Sequence, residues 1–411
     1  MKFTITNARI FFQGRIQSYD LLIRGGRIEH IGKDLKAENN MDARGLLILP
    51  GAIDSHVHFR DMGEAQKEDW FTGSLSAAAG GVTTVIEHPN TVPPTTTVDA
   101  LKKKLKAAER SIVDYGINGG VSGDYEDLFS LKKEGVTAFG EIFMADLEDK
   151  EIFGALKIVK DTGKTACMHA EDRKSVLKDP KRPKICEIKA IESVLKMKKS
   201  LDVKLHICHL STKRGLELLK GRKITKEVTP HHLLLSKDDF ERAGSFAKMN
   251  PPLRDESDRA SLWQGIREGN IEILASDHAP HTIEEKSMQV SDAPSGVPGV
   301  ETMIPLMLPL VRKNMISLER LVEIASNNPA KIFGLESKGA IEVGKDADLI
   351  FIDMKAEEKI KPDKLHSKCI WTPFEGKTAI FSDKVLIRGE VVFEDGSVQC
   401  KAGYGNFLRS S

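Results

Sequence analysis

The middle of the chain alternates short β-rich runs with longer amphipathic stretches, and this alternation limits the possible folds more than any other feature. The β-rich runs cover residues 52–58, 83–88, 117–121, 138–143, 165–170, 204–210, 224–229 and 272–278. Between most of them lie stretches with helical periodicity, such as 100–115 and 185–199. Eight strands joined by helical crossovers are typical of an α/β fold, the parallel (β/α)8 TIM barrel.

The two ends of the chain differ from the middle. Residues 1–50 contain short strands separated by turns such as Gly25-Gly26, and residues 341–411 return to the same pattern. Because chain ends often lie close together, we expect both ends to form one small β-sandwich domain. The predicted organisation is a barrel over 51–340 and a composite β domain from the two ends.

Composition narrows the class of protein. The 411 residues exceed the roughly 250 of a typical barrel, which leaves room for the added β domain. Lys+Arg at 61 and Asp+Glu at 60 leave a net charge of +1, so no global field favours nucleic acid or a membrane surface. Five scattered cysteines without a C-x-x-C motif, and no apolar leader or span, predict a soluble protein of the reducing cytoplasm.

Histidines gather where the predicted barrel strands end. Five of them end strands or follow directly, and three more come within a few residues: His56, His58, His169, His209 and His278, then His231, His232 and His281. Barrel active sites are built at the carboxyl ends of the strands. A single histidine is more often an ordinary polar residue than a ligand, but this convergence favours a metal centre.

The histidines at the ends of strands one, five and six form two predicted ligand pairs. His56 and His58, in D-S-H-V-H-F-R, are two residues apart, so both side chains point to the same side of a strand and can hold one metal. Asp54, behind them on that side, is expected to orient an imidazole. His169 and His209 can supply ligands to a second metal. Imidazoles and carboxylates suit zinc, with manganese or cobalt as substitutes.

Asp277, in S-D-H-A-P-H, ends the predicted eighth strand. A carboxylate there can bind a metal through one oxygen and accept a proton from activated water through the other. The same group can return that proton to a leaving nitrogen, so Asp277 is the predicted catalytic base and acid. The alternative is a structural role as a helix N-cap.

Eight motifs, in order along essentially the whole chain, resemble those of the dihydroorotases of the amidohydrolase superfamily. They are D-S-H-V-H-F-R, E-H-P-N-T, M-H-A-E-D, C-H-L-S-T, E-V-T-P-H-H-L, N-P-P-L-R, D-H-A-P-H and P-S-G-V-P-G-V-E-T. The resemblance implies a cytoplasmic enzyme of pyrimidine biosynthesis that interconverts N-carbamoyl-L-aspartate and (S)-dihydroorotate. It also implies zinc, one or two ions per chain with two favoured, and no nucleic-acid or membrane partner. Self-association, or association with the preceding pathway enzyme, is a further expectation.

The family's residue roles carry over position by position. By resemblance, His56 and His58 hold the more buried metal, His169 and His209 hold the more exposed one, and a hydroxide between the metals attacks the ring carbonyl. Asp277 binds metal and moves the proton. The predicted substrate contacts are Arg60, Asn90 and His281 at the carboxylate, Asn250 at the ring, and the backbone around Gly296 at the ring amide. An arginine fork fits a carboxylate, which agrees with this role for Arg60.

One position departs from the family. Many relatives bridge their metals with a carboxylated lysine at the end of strand four, where this chain has Glu141 in A-F-G-E-I-F-M-A. A glutamate already carries a carboxylate, but it falls short of a carboxylated lysine by about 3–4 Å unless the strand shifts inward. We predict that unmodified Glu141 bridges the two metals fully or partly. The alternative is that Glu141 lies behind the metal ligands or on the surface. Asp146 is a less favoured candidate for the bridging position.

Other residues and two rival functions remain open at this point. Cys208 and Glu227 fit either an extra zinc site or, for the favoured alternative, core packing of the thiol. His231 and His232 have no assigned role, and His88 either packs or bonds near the substrate. The segment 282–300 is long enough to cover the site. The rival functions are an allantoinase or hydantoinase, whose substrates lack the ring carboxylate, and a non-catalytic scaffold, which the intact ligand set disfavours.

Overall fold

The computed structural model describes residues 2–121 and 126–410, and its central feature is a closed barrel of eight parallel strands. The strands are Ala52–Val57, Val82–Glu87, Asp114–Ile117, Phe139–Phe143, Thr165–His169, Lys204–Ile207, Thr225–Val228 and Ile273–Leu274. Strands one to three form one sheet and strands four to eight another. Parallel bridges from Gly119 to Phe139 and from Val57 to His278 join the two sheets on both sides, so the predicted barrel is confirmed.

The third and eighth barrel strands differ most from their predicted bounds. The third is Asp114–Ile117 rather than 117–121, and the helix before it, Val98–Ala108, ends earlier than predicted. Residues 112–117 are buried. By periodicity alone, a short buried run of this kind fits a strand or a helix equally well, so the sequence did not place the strand here. The eighth strand is only Ile273–Leu274, so Asp277 stands three residues beyond its end.

Helices surround the barrel, and local sequence marks their ends. The α-helices are Trp70–Ala79, Val98–Ala108, Glu126–Glu134, Asp149–Thr162, Arg173–Lys178, Lys184–Ser200, Lys213–Leu219, Pro230–Leu234, Lys237–Ala243, Glu256–Arg267, Ile283–Lys286, Met303–Arg312, Leu318–Val322 and Asn328–Ile332. Asp69 caps the first by accepting from the backbone of Phe71 and Thr72. Gly163 ends the helix over 149–162 in the left-handed conformation, at φ +76°.

The chain ends form the added β domain. Its strands are Lys2–Thr6, Arg9–Phe12, Arg15–Ser18, Asp20–Arg24, Arg27–Gly32, Asn39–Asp42, Leu47–Pro50, Leu349–Ile352, Lys384–Ile387, Glu390–Glu394 and Ser397–Val398. In the larger sheet Leu47–Pro50 pairs antiparallel with Leu349–Ile352, which joins the two ends of the chain. Side chains of this sheet and of the four-stranded sheet share one apolar core, including Ile5, Ile23 and Phe351.

Parts of the C-terminal range lie on the barrel rather than in the β domain. The hairpin of Glu358–Lys359 and Thr378–Ala379, with Trp371 between its strands, packs against residues around Leu235 and Val297. The last described residues reach the third barrel strand, where Phe407 bridges Tyr115. Within the described ranges, no helix combines the length and the apolar content needed to cross a membrane.

Candidate active site

A cavity of about 190 Å³ opens at the carboxyl ends of the barrel strands. Its lining contains nearly all of the predicted site residues: His58, Arg60, Asn90, Glu141, His169, His209, Asn250, Asp277, His281 and Gly296. His56 lies beneath it, fully buried. Two larger cavities, of about 650 and 630 Å³, lie elsewhere on the described molecule and contain none of these side chains.

The carboxylate of Glu141 lies between the two histidine pairs. Its Oε1 is 2.7 Å from Nδ1 of His169 and 2.6 Å from Nε2 of His209. Its Oε2 is 3.4 Å from Nε2 of His56 and 3.9 Å from Nε2 of His58. Each oxygen therefore faces one pair, which is the arrangement that a bridging carboxylate needs.

A bulge in the fourth barrel strand explains how a side chain as short as Glu141 reaches this position. Against the fifth strand, Phe139 pairs with Ala166 but Ile142 pairs with Met168, so the fourth strand carries one extra residue. Gly140 sits at the bulge with φ +117°, and a Cβ there would lie 2.2 Å from the carbonyl oxygen of Cys167. Only glycine fits this backbone. The strand thus departs from regular pairing at the residue that must reach inward.

Three of the four imidazoles are oriented by a hydrogen bond at one ring nitrogen. Nδ1 of His56 bonds Glu227 at 2.5 Å, Nδ1 of His58 bonds Asn90 at 2.6 Å, and Nε2 of His169 bonds Glu171 at 2.8 Å. A ring that donates from one nitrogen presents the lone pair of the other, as a metal ligand must.

The role expected for Asp54 is wrong. Its Oδ1 accepts from the backbone N–H groups of His56 and Ser276, at 3.2 and 3.0 Å, and it contacts no imidazole. Glu227, from the seventh strand, orients the His56 ring instead. Asp54 therefore joins the first strand to the segment after the eighth, and burial raises its pKa to about 6.

The residues at the cavity fit a pair of divalent cations. His56, His58 and Glu141 form one group of ligand atoms within 4.8 Å of one another, and Glu141, His169 and His209 form a second. Nε2 of His56 is buried and has no hydrogen-bond partner among the described residues. Two groups sharing one carboxylate match a binuclear centre with imidazole and carboxylate ligands.

The electrostatic field at the cavity favours positive charge. Burial alone would lower the pKa of His169, but the carboxylates of Glu141 and Glu171 raise it to about 9. Burial opposes protonation of His56 in the same way, and Glu227, Glu141 and Asp277 still raise its pKa above the ordinary value. A field that holds protons on imidazoles also attracts cations to the same place.

Asp277 approaches the first histidine pair from the neighbouring eighth strand, and the residue that follows it, His278, bridges Val57. Its Oδ1 is 3.2 Å from Nε2 of His58 and 3.5 Å from Nε2 of His56. Burial would raise the pKa of this carboxyl, but the neighbouring imidazoles hold it below its ordinary value. The side chain therefore carries a negative charge at neutral pH, and Oδ1 is turned towards the histidines.

Arg60 and His281 meet on another wall of the cavity. Nη2 of Arg60 is 3.3 Å from Nε2 of His281, and the guanidinium Nε–H donates to the carbonyl of Pro280. Burial and the charges of Arg60, Lys67 and Lys286 lower the pKa of His281 to about 2. The imidazole is therefore neutral, and the wall offers one full positive charge.

Asn250 and Gly296 complete the lining, and each is held by a neighbour. His232 accepts at Nδ1 from the Thr229 hydroxyl and donates from Nε2 to the carbonyl of Pro251, at 3.0 Å, which fixes the segment beside Asn250. His232 is thus structural. The N–H of Gly296 donates to the carbonyl of Lys248 at 3.0 Å and is therefore already used. A contact between the substrate ring and Gly296 would use the carbonyl oxygen of Gly296, which has a second lone pair, or a neighbouring backbone group.

His88 and His231, to which the sequence assigned no single role, lie outside the cavity lining, and so does Asp146, the less favoured candidate for the bridging position. His88 stacks on the His56 ring at 3.9 Å, and its Nε2–H donates to the carbonyl of Ser55. His231 is buried, and its Nε2 has no partner among the described residues. Asp146 is exposed and does not reach the ligands.

Cys208 and Glu227 lie close together, but the imidazole beside them is that of His56 rather than that of the neighbouring His209. Their ligand atoms and those of His56 lie within 4.8 Å of one another. Glu227 already accepts hydrogen bonds from His206 and from the backbone N–H of His209. Cys208 packs in the barrel interior beside Cys167, and burial raises the pKa of its thiol.

Sequence reasoning missed two residues at the second histidine pair. Glu171, two residues after His169, bonds Nε2 of that ring, and Arg182 pairs closely with Glu171 while lining the cavity. The motif M-H-A-E-D contains the first of these, and an acid two residues after a candidate ligand was a usable signal. No sequence signal pointed to Arg182, because it follows a separate short helix, Arg173–Lys178.

Comparisons with known proteins agree with this chemistry. The model of the amidohydrolase family matches residues 47–392. A dihydroorotase of Methanosarcina acetivorans is 45% identical and covers 99% of this chain and 95% of its own length. A dihydroorotase of Halobacterium salinarum is 41% identical over 96% of this chain and 97% of its own length.

Solved structures of two named enzymes share the architecture of this chain. The L-hydantoinase (dihydropyrimidinase) of Arthrobacter aurescens superimposes with a TM-score of 0.94 at 32% identity, over 99% of both chains. The dihydropyrimidinase of Brevibacillus agri superimposes with a TM-score of 0.93 at 28% identity, over 100% of this chain and 99% of its own.

Proposed function

This chain belongs to the amidohydrolase family and, within it, to the dihydroorotases, and on that basis we propose how its residues interconvert N-carbamoyl-L-aspartate and (S)-dihydroorotate. The observation that carries the proposal is the common cavity. Two histidine pairs sharing Glu141, the charged Asp277 and the Arg60 guanidinium all face the same space of about 190 Å³. That space combines a hydrolytic centre with a site for an anionic ring.

The metal centre of this proposal is a pair of zinc ions. His56 and His58 would hold one ion and His169 and His209 the other, with Glu141 contributing one oxygen to each and Asp277 also facing the first. When bound, such ions polarise the amide carbonyl and lower the pKa of the attacking water. Metal analysis together with anomalous diffraction would establish their number and identity. A modified lysine at the bridging position would contradict the role of Glu141.

Asp277 moves the proton in both directions. In ring opening the water oxygen bonds to the ring carbonyl carbon, and its proton passes to Asp277. The C–N bond then breaks, and the same proton passes to the leaving nitrogen. Because Oδ1 is turned towards His58 and His56, Oδ2 is the oxygen available for this transfer. Because its pKa lies below the ordinary value, the carboxyl is ionised at neutral pH and carries no proton before the reaction.

Arg60 supplies the discrimination between dihydroorotate and uncharged rings. Its guanidinium is buried and has no carboxylate partner within salt-bridge distance among the described residues. A buried cation of this kind gains most from a ligand that brings its own carboxylate. His281 lies beside it and is neutral, with its Nε2 3.1 Å from the carbonyl oxygen of Ser295. The amide nitrogen of Asn90, unpaired among the described residues, adds a donor to the same cavity. Hydantoin and allantoin lack the ring carboxylate.

Arg60→Ala tests this assignment against the hydantoinase alternative suggested by the structural neighbours. We expect the wild type to open dihydroorotate in preference to hydantoin and allantoin, and the variant to lose about 100-fold or more in kcat/KM for dihydroorotate only. Arg110→Ala, which removes an exposed guanidinium paired with Asp69, is the control. A wild type that opens hydantoin as well as dihydroorotate would contradict the proposal.

The cellular setting follows from the reaction rather than from a surface feature. The substrate is a small molecule, and we propose a cytoplasmic enzyme of pyrimidine biosynthesis without nucleic-acid or membrane partners. Self-association, or association with the preceding pathway enzyme, stays a prediction.

A further inference from the structure

A buried ammonium lies behind the wall of the cavity that Gly296 forms. Lys286 ends the short helix Ile283–Lys286 and is fully buried. Its Nζ donates to three backbone carbonyls, those of Lys248 at 3.1 Å, Pro294 at 3.0 Å and Gly296 at 2.9 Å. All three donors of the ammonium are therefore used, and every acceptor belongs to the backbone beside the cavity.

The same ammonium is connected to the wall that carries His281. Nζ of Lys286 lies 5.5 Å from the centre of the Trp371 ring, within the range of a cation–π interaction. The indole N–H of Trp371 donates to the carbonyl of His281 at 2.7 Å. One side chain thus links the backbone at Gly296 to the turn that presents His281.

The backbone that Lys286 holds is tightly packed at Gly296. Gly296 has φ +136°, and its Cα packs so closely that a Cβ would lie 2.5 Å from the carbonyl oxygen of Ala279. Farther out, the segment is open to solvent, with Met288 and Val290 about half exposed. Apolar packing therefore does not hold its outer part, and hydrogen bonds from lysines take that role.

We propose that Lys286 is a positioning residue for substrate binding, which fixes the backbone of 294–296 and the His281 turn where they contact the substrate ring and its carboxylate. This inference rests on the proposed function. A purely structural role is disfavoured because burying an ammonium is costly, and a methionine would fill the same space without that cost. Lys286 instead places its positive charge where three backbone carbonyls converge.

Lys286→Met tests the inference because it keeps the length of the side chain and removes the three donors. We expect KM for dihydroorotate to rise about tenfold or more while kcat stays within about threefold, since the metal ligands and Asp277 are untouched. Burial and the charge of Lys248 lower the pKa of Lys286 to about 7, while Glu285 opposes this. The assays are therefore run at about pH 6, where the ammonium is retained.

Lys248→Met is the matched control. Nζ of Lys248 also donates to three carbonyls of the same segment, those of Val290, Ser291 and Ala293, but on its outer part. We expect KM to stay within about twofold of the wild type in this variant. Amide hydrogen exchange of Ser295, Gly296 and Val297 should accelerate in the Lys286 variant and change little in the control, and this measurement does not depend on catalysis.

Lys286→Gln provides a second variant if the methionine variant does not fold. Its amide can still donate to part of the carbonyl set, and we expect the same rise in KM with kcat retained. An unchanged KM in the folded variant, or an equal rise in the Lys248 control, would overturn the inference. A wild type without activity on dihydroorotate would instead refute the proposed function, and the exchange measurement would still test the positioning of the backbone.

Discussion

In the proposed metal centre, Glu141 would take the place of the longer, carboxylated lysine that bridges the metals in many dihydroorotases. Its two oxygens face different histidine pairs, at 2.6 Å from His209 and 3.4 Å from His56. Because the carboxylate is intrinsic to the residue, the centre needs no carbon dioxide to assemble. The consequence is a fixed reach, so the backbone rather than the side chain must set the distance to the metals.

Replacing Glu141 by the family's lysine should therefore fail. The glutamate carboxylate already reaches both histidine pairs from this backbone, so in Glu141→Lys a carboxylated lysine would overshoot the ligands by about 3–4 Å. We expect ring-opening activity to fall by about 100-fold or more, even when bicarbonate is supplied, and bound zinc to decrease. Metal content and activity with and without bicarbonate provide the measurement.

Glu141→Gln is the isosteric control for that substitution. It keeps the volume but loses the charge, so we expect it to bind less metal while unfolding at a similar temperature. Recovery of wild-type activity by the lysine variant in bicarbonate would show that the position tolerates the longer bridge and that our account of the strand is wrong.

Individual residues differ in how far the sequence predicts them. The structure brings together the histidines, Asp277 and Arg60 because strand ends meet at one face of a barrel, whatever their separation in sequence. Asp54 was placed wrongly because alternation along a strand gives the side but not the partner, and Glu227, from a distant strand, is closer to the His56 ring. Lys286 could not be found, since its acceptors are backbone carbonyls that carry no sequence signal.

At the scale of elements, the decisive feature is the bulge in the fourth barrel strand. One extra residue between Phe139 and Ile142 changes the pairing with the fifth strand. The short β-rich run over 138–143 predicted the strand but not the bulge, because one extra residue leaves the composition unchanged. Gly140 was the available sign, since glycine inside a strand often marks a bulge or a close backbone approach.

Gly140→Ala should disrupt this strand and the centre it carries. The added Cβ would meet the carbonyl oxygen of Cys167 at 2.2 Å, and φ of +117° is unfavourable for alanine. We expect a loss of about 3 kcal/mol or more in the free energy of unfolding, together with weaker metal binding. Chemical denaturation and metal titration of the same preparation measure both effects.

Gly163→Ala separates backbone strain from the packing effect. Gly163 also has a positive φ, +76°, but a Cβ there would meet nothing within 4 Å. We expect a loss of about 1 kcal/mol and unchanged metal affinity. Equal effects of the two substitutions would contradict a special role for the bulge.

At the scale of the whole molecule, a buried ionic cluster joins the barrel, the β domain and the C-terminal segment. Nζ of Lys338 lies 2.5 Å from Asp114, at the start of the third barrel strand, and 2.7 Å from Asp348, beside a β-domain strand. Arg388 also pairs closely with Asp114, and the backbone N–H of Asn406 donates to it at 2.8 Å. The sequence predicted both domains but not this connection, because Asp114 lies more than 200 residues before Lys338 and no motif marks either residue.

Lys338→Met should destabilise the whole chain, because it leaves a cluster of carboxylates buried without their main cation. Removing one partner of a buried ion pair costs about 3–5 kcal/mol, so we expect a loss of that size in the free energy of unfolding. Arg312→Met, which breaks an exposed pair with Glu357, should cost no more than about 0.5 kcal/mol.

The pH dependence of that loss distinguishes the ionic cluster from simple packing. Burial already raises the pKa of Asp348, and without the charge of Lys338, which lowers it, this pKa should rise further above that of the unfolded chain. A carboxyl with a raised folded pKa favours the folded state at low pH and disfavours it as the pH rises through that value. The difference between the variant and the wild type should therefore narrow from pH 7 towards about pH 4, as measured by urea denaturation at each pH. A difference that stays constant with pH would mean that Lys338 contributes through its hydrocarbon chain, and that its charge does not hold the two domains together.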